Sequence, residues 1–517
     1  MKQTKREMPA PHKADKQEAL RGRRLVLAVV CLAVVAAVIA AASFDSLPSV
    51  IGDNAEFAIL AKAIATGHGM RYINHPDLLA STKYPPGFPL MLAMWIPIFG
   101  DSIVTMKIVV LVCYVLMVPA AFLVGRRLVD DRLSLVAALM VATSASILPY
   151  SHEVLSDVPY ALLGLVTLLL VTGPAPGRRR ILAGLAVCLW AYVVRSAGVS
   201  LVAATALYLF LRSRRKEAYL LVGGLVAFTV LWTLRNNLVG GEGSRYAEVL
   251  LAKNPYKPDL GTVGIGDVAR RIAINFGAYA GGLLPLSFLP GLVAYVSDSA
   301  SRALISVVLL GLAGLGGYSL RKKGLAFNLY ILAYMAVYLL WPEVWRTERF
   351  MLAIAPVVAI YLVAGIGVAA RYVGLRRSAA LAAAAVVAAT NIYPLYEYAT
   401  RARGYPAGWR NYFATAAWAR DNSPSDAVFL CRSTYLFYMA SGRRTIQYPF
   451  TSDGAAMRSY LAKSHPDYIV VDDVGFPQTK TYLVPVLRTM SDQIDVVYST
   501  PEPANLVLRF SPQGVAK

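Results

Sequence analysis

Four carboxylates stand at the mouths of apolar runs in this 517-residue chain. Asp53 and Glu56 open the amphipathic segment "GDNAEFAILAKAIATGHG", and Glu153 and Asp157 lie in "SHEVLSDVPYALL", where one apolar run ends and the next begins. The first pair is spaced three apart and the second four apart, so the members of each share a face if the segment is helical. A carboxylate so placed can take a proton from a hydroxyl. Partial desolvation near a bilayer surface raises its pKa and makes it a better base. Helix capping is the plain alternative. Asp53 as N-cap with Glu56 three residues on reads as a capping box, and Asp157 before Val158 and Pro159 reads as a helix start. The two roles are compatible, because a cap also fixes a carboxylate's direction.

Cations stand beside the same loops. Lys83 immediately precedes Tyr84-Pro85-Pro86, and a lysine at headgroup level can hold a phosphate, with snorkelling as the ordinary alternative. "WRTERFMLAIAP" brings Arg346, Glu348 and Arg349 to the start of an apolar run, and Arg195 in "VVRSAG" closes another. Lys83, Tyr84, Glu56, Glu153, Arg195, Arg346 and Arg349 are therefore candidate substrate-binding residues, with Asp53 and Asp157 as candidate catalytic acids. Asp53, Glu153 and Asp157, with His68 or His152, are also the donors a divalent cation would take. Such an ion is the one cofactor the pattern leaves open, since cationic side chains can do its work. His75 and His152 read as loop hydrogen-bonding residues.

The elements that must position these groups are membrane helices. The chain is 57% hydrophobic and only 16% charged, with a mean hydropathy of +0.52; this is the composition of an α-helical polytopic membrane protein. A net charge of +21 would suggest nucleic acid in a soluble chain. Here the basic residues cluster between apolar runs, as topology anchors do, and a nucleic-acid partner is excluded on that ground. Apolar runs predict about eleven spans, at 25–43, 103–125, 133–149, 158–172, 180–194, 197–211, 218–234, 302–319, 325–341, 350–369 and 379–393. A further apolar stretch at 277–296 re-enters or spans. With the basic tail 1–24 cytoplasmic and a retained signal anchor after it, "GRRLVDDR", "GRRR", "RSRRK", "RKK" and "RYVGLRR" all fall on the cytoplasmic side. The transmembrane domain is then 25–393, with loops 44–102, 150–157, 235–301 and 342–349 on the extracytoplasmic face.

All the candidate residues lie on that face. So does a region of different character, 394–517, in which helix and strand signals alternate as in a small α/β domain. "AVFL", "PDYIVVDD" and "DVVYST" are its expected strands. Cys31, Cys113 and Cys188 sit in apolar runs and Cys431 stands alone, so neither disulfides nor zinc are indicated. No internal repeat is visible.

"GDNAEFAILAKAIATGHG", "TKYPPGFPLMLA", "HEVLSDVPYALL" and "WRTERFMLAIAP", in this order and on one face, resemble the GT-C superfamily of membrane glycosyltransferases. The nearest branches are the lipid A aminoarabinose transferases and the protein O-mannosyltransferases. "WARDNSPSDAVFLCRSTYLFYMASGRR" resembles the outer domain of bacterial members, so the likeness covers nearly the whole chain. The resemblance implies a GT-C fold of about 11–13 membrane helices. It also implies a polyprenyl-phosphate-linked sugar as donor, undecaprenyl in a bacterial host. Transfer would go with inversion to a lipid, glycan or protein acceptor on the outer face of the plasma membrane. By position, Asp53 matches the family's catalytic acid, Asp157 a second acidic position, and Lys83 a lysine associated with the lipid phosphate. Glu56 departs from the adjacent Asp-Glu pair of the mannosyltransferases. A transporter or flippase of a lipid-linked or anionic substrate is the alternative from another class; it would place ionisable groups at mid-membrane, whereas here they lie at helix ends.

Overall fold

The computed structural model describes residues 13–240, 246–257, 260–291, 296, 298–401 and 403–511. The first 12 residues of the expected basic tail, and parts of the 235–301 loop, lie outside the described residues. In lipid a backbone N–H or C=O has no water partner, so apolar runs fold as helices that satisfy every such group internally. Among the described residues six helices are long and apolar enough to cross a bilayer: Leu20–Ala42, Ile103–Leu128, Arg215–Val239, Ser299–Ser319, Ala355–Tyr372 and Arg377–Thr400. Gly87–Phe99, Asp157–Val171, Ser196–Leu211 and Leu325–Leu339 are apolar but shorter. Arg178–Val194 and Asp131–Ala142 pack beside them. Large apolar side chains such as Val26, Leu27, Val38, Leu231 and Leu238 stay exposed on the long helices, as lipid-facing positions do. The protein is a multi-pass membrane protein.

Two expected spans take a different form. The run at 133–149 is broken, because the helix Asp131–Ala142 stops at Thr143 and a short helix, Ile147–Ser151, follows. Ser144 secures the break by accepting from the backbone N–H of Ile147 at 3.2 Å. A helix of 12 residues reaches only about 18 Å. The stretch at 277–296 is the tail of one helical segment that begins at Ile265 and runs through a π-type turn, Tyr279–Leu283, to Phe288; its residues 292–295 lie outside the described ones.

Ala355–Tyr372 is the central helix, buried from Ala355 through Ile366. It crosses Ser299–Ser319 at glycines. A Cβ on Gly365 would stand 1.8 Å from the Leu312 carbonyl oxygen, and one on Gly316 would stand 1.9 Å from that of Tyr361. Backbones can approach this closely only where the side chain is absent. This crossing seats the residues just before Ala355, where Arg349 stands.

The C-terminal region is a five-stranded sheet in the order β2-β1-β3-β5-β4. Its strands are β1 (Val428–Leu430), β2 (Arg444–Ile446), β3 (Tyr468–Val471), β4 (Ile494–Ser499) and β5 (Leu506–Phe510). β1 pairs in parallel with β2 and β3, while β5 pairs antiparallel with β3 and β4. β1, β3 and β4 fall on the expected segments; β2 and β5 were not foreseen. The domain rests on the chain after the first span. Tyr405 donates to the Pro48 carbonyl at 2.6 Å, Arg403 donates to that of Phe44, and Ala55 belongs to the domain's own apolar core.

Candidate active site

Asp53 lies in the first turn of the helix Gly52–Ala65. The N-cap position is Ile51 and makes no side-chain cap, so the capping-box reading does not hold. Asp157 likewise begins the helix Asp157–Val171 without capping it. Both acids are used against cations. Asp53 Oδ1 accepts from the Tyr84 hydroxyl at 2.9 Å, and Oδ2 faces Arg349 Nη1 and Nη2 at 3.3 Å each. Asp157 Oδ2 takes Arg349 Nε at 2.9 Å, and its Oδ1 takes Arg195 Nη2 at 2.9 Å. One guanidinium thus joins two carboxylates that are far apart in sequence.

Lys83 completes the cluster. Its ammonium stands 2.8 Å from Glu56 Oε2, 4.0 Å from Asp53 Oδ1 and 4.5 Å from the centre of the Tyr84 ring. Glu56 Oε1 accepts from the Tyr72 hydroxyl at 2.7 Å, which in turn accepts from Ser81 at 3.0 Å. Asp53 and Glu56 do share a helix face, as their spacing predicts. Arg195 also donates to Ser156 at 3.0 Å and to Tyr338 at 3.3 Å. Its guanidinium and that of Arg349 both lie against the Phe350 ring, at 5.7 and 5.8 Å. Arg195 follows a tight contact two residues earlier: a Cβ on Gly87 would meet the Val193 carbonyl at 2.6 Å, so the "PPGFP" helix lies directly on the end of Arg178–Val194.

Exposure separates the members. The Asp53 and Lys83 side chains remain 35% and 37% exposed, whereas that of Asp157 is 2% exposed. Asp53 and Lys83 can meet a substrate; Asp157 is enclosed, with both oxygens held by guanidiniums. The expectation that desolvation raises the pKa of the leading acid is also corrected. Burial alone would raise Asp53, but the charges of Lys83 and Arg349 and the hydrogen bonds from Tyr84 and Arg349 outweigh it and hold it below the usual carboxylate range.

Glu153 and Arg346 lie apart from these contacts. Glu153 sits in the turn between Ile147–Ser151 and Asp157–Val171, so the helical face it was expected to share with Asp157 does not exist. Burial raises its pKa, opposed by Ser49, Lys107 and Arg349, and its Oε2 has no hydrogen-bond partner among the described residues. Arg346 donates to the carbonyls of Glu343 at 3.0 Å and Ile274 at 3.3 Å. His152 bonds the Tyr398 hydroxyl at 3.0 Å and His75 accepts from the Asp77 backbone, both as expected of loop histidines. Burial and then Lys107 push His152 down to about 4. His68 pairs with Thr66 at 2.9 Å. Among the described residues no group of three or more His, Cys, Asp or Glu is placed to hold a metal ion. The cation set expected from Asp53, Glu153, Asp157, His68 and His152 is therefore not assembled; the space between the two aspartates holds a guanidinium.

Sequence reasoning missed Tyr72, Tyr338, Tyr435 and Lys107. Lys107 is buried inside a spanning helix and donates to the carbonyls of Asp45 at 2.8 Å and Leu47 at 2.6 Å, pinning the chain that leads to Asp53. A lone lysine in an apolar run was the available signal.

An ion-paired carboxylate cluster thus stands at helix ends of the bundle, with Tyr435 of the C-terminal domain packed on Tyr72 beside it. The architecture is the GT-C fold. Residues 83–234 match the family described as dolichyl-phosphate-mannose-protein mannosyltransferase. Among solved structures, ArnT from Cupriavidus metallidurans bound to undecaprenyl phosphate aligns with a TM-score of 0.58 at 15% identity, covering 95% of this chain and 99% of that one. The archaeal oligosaccharyltransferase AglB from Archaeoglobus fulgidus, in complex with an inhibitory peptide and a dolichol-phosphate, aligns with a TM-score of 0.54 at 14% identity, covering 94% and 74%. No curated protein matches the chain in sequence.

Proposed function

We propose that the protein transfers a sugar from a polyprenyl-phosphate donor to an acceptor on the extracytoplasmic face of the plasma membrane, with inversion. The observation that carries this reading is the convergence of Asp53, Asp157, Lys83 and Arg349 in one cluster at the mouth of the helical bundle. The class of the fold and the undecaprenyl phosphate bound to ArnT support the choice of donor. The acceptor is a hydroxyl or phosphate of a lipid, glycan or protein.

The chemistry follows from the charges. An acceptor oxygen attacks the anomeric carbon while the bond from that carbon to the phosphate oxygen breaks. The electron pair leaves with polyprenyl phosphate, already a stable anion, so no strong general acid is needed. The acceptor hydroxyl's proton goes to Asp53, and Lys83 with Arg349 receives the new phosphate charge. Asp157 holds the Arg349 guanidinium in place, with Arg195 on its other oxygen. Arg346, held by two backbone carbonyls, falls out of the clamp.

Asp53, Glu56 and Asp157 balance Lys83, Arg195 and Arg349, so the paired cluster is neutral before substrate enters. A donor phosphate beside Lys83 adds negative charge and raises the Asp53 pKa toward a useful base. The acid limb of kcat is therefore expected at higher pH than that of kcat/KM, since the first reports the donor-bound enzyme and the second the free one. Matched limbs, or the reverse order, would count against Asp53 as the titrating base.

Lys83 is tested by binding. Lys83→Ala, made together with Glu56→Gln so that no buried charge is stranded, is expected to weaken undecaprenyl phosphate binding about 10- to 100-fold, the worth of a charge-assisted hydrogen bond. An unchanged Kd would remove Lys83 from the clamp.

A further inference from the structure

We infer that the C-terminal domain completes the donor-phosphate clamp: Tyr435 packs on Tyr72, whose hydroxyl holds the Glu56 carboxylate, and so sets the position of the Lys83 ammonium. This rests on the reading that Lys83 receives the donor phosphate. Tyr435 belongs to the domain, on the helix Thr434–Ser441. Its ring lies 5.5 Å from that of Tyr72, at an interplanar angle of 31°. Tyr72 donates to Glu56 Oε1 at 2.7 Å, and Glu56 Oε2 stands 2.8 Å from the Lys83 ammonium. Glu56 is enclosed, so the Tyr72 phenol and Lys83 replace the water it has lost.

The domain is registered on the loop that carries Lys83. Thr445 of β2 donates its backbone N–H to the Asn74 carbonyl at 2.7 Å, and its hydroxyl accepts from Asn74 Nδ2 at 3.0 Å. The same hydroxyl donates at 3.1 Å to the carbonyl of Thr434, the residue before Tyr435. One buried threonine therefore ties the loop, the strand and the Tyr435 helix together. From the other side, Arg235 donates to the carbonyls of Ser81 and Met70 at 2.5 and 3.1 Å. The segment leading to Lys83 is held between the Arg215–Val239 helix and the C-terminal domain, and Glu56 is where the domain's hold reaches the ammonium. A lysine has four rotatable bonds, and an anchored counter-ion fixes its head where a phosphate arrives. Tyr435 is thus a positioning residue.

The test compares Tyr435→Ala, Tyr435→Phe, Lys83→Ala made with Glu56→Gln, and Tyr435→Ala added to that pair, in the full-length protein, with Tyr438→Ala on the same helix as control. Undecaprenyl phosphate binding and steady-state transfer are measured. Tyr435→Ala is expected to raise the Kd and the donor KM about fivefold and to leave kcat within about twofold, whereas Tyr435→Phe, which keeps the ring on Tyr72, should behave as wild type. Added to the Lys83→Ala, Glu56→Gln pair, Tyr435→Ala is expected to weaken binding no further, because Tyr435 acts only through Lys83. Tyr438→Ala should behave as wild type. Wild-type binding by Tyr435→Ala, or losses that add in full in the combined variant, would overturn the inference while leaving the clamp intact. Unchanged binding by the Lys83→Ala, Glu56→Gln pair would instead overturn the clamp itself, and the inference with it.

Discussion

Asp53→Asn is expected to lower kcat about 10²- to 10⁴-fold while undecaprenyl phosphate still binds. The substitution keeps the shape of the side chain and leaves an oxygen to accept from Tyr84, now 2.9 Å away. Arg349 keeps its bond to Asp157 at 2.9 Å, so the cluster has no reason to collapse. What disappears is the partly exposed carboxylate proposed to take the acceptor proton. Labelled sugar transferred from the polyprenyl donor is the readout, with lipid binding as the check on folding. Transfer near the wild-type rate sinks the base assignment. Glu153→Gln in parallel tells where the proton goes instead: Glu153 has the raised pKa of a base but lies in a turn outside the ion pairs. If the acceptor is a phosphate, its attacking oxygen carries no proton, and both variants remain active.

Much of this cluster was legible as residue type, and little of it as contact. Asp53, Asp157, Lys83 and Arg349 could be found because a charge beside an apolar run is costly and so stands out. Their connectivity could not, since Asp53 and Arg349 are separated by 296 positions and meet only through the packing of the bundle. Glu153 and Asp157, four apart, would share a face only in a helix, and the chain turns between them. Tyr72 and Tyr435 carry no sequence signal at all; in a chain with 30 tyrosines a buried phenol is read as core. The same limit acted on the fold. Hydropathy marked the run at 133–149 but could not see that Thr143 to Ser146 would turn and cap within it. In the C-terminal domain β2 escaped notice because three residues are too few to show alternation.

Arg349→Met is expected to destabilise the protein by about 3–5 kcal/mol, the cost of stranding a buried carboxylate. Arg349 is the only residue described as binding both Asp53 and Asp157, and its side chain is 12% exposed. Without it Asp157, at 2% exposure, keeps one guanidinium, Arg195, for two oxygens. Arg349→Lys separates the structural part from the catalytic one. An ammonium can neutralise one carboxylate but lacks the planar fork that reaches two. The lysine variant is therefore expected to keep most of the stability and lose most of the transfer. Arg349→Met with Asp157→Asn removes the stranded carboxylate but leaves Arg195 without its ion-pair partner, and is expected to recover part of the stability but not activity. Thermal unfolding in detergent, followed alongside transfer of labelled sugar, reads both. A methionine variant as stable as the wild type would show that the carboxylates do not depend on this guanidinium. A double variant that regained transfer would show that the two aspartates need not be held together, and the single-site account of Asp53, Asp157 and Lys83 would fail with it.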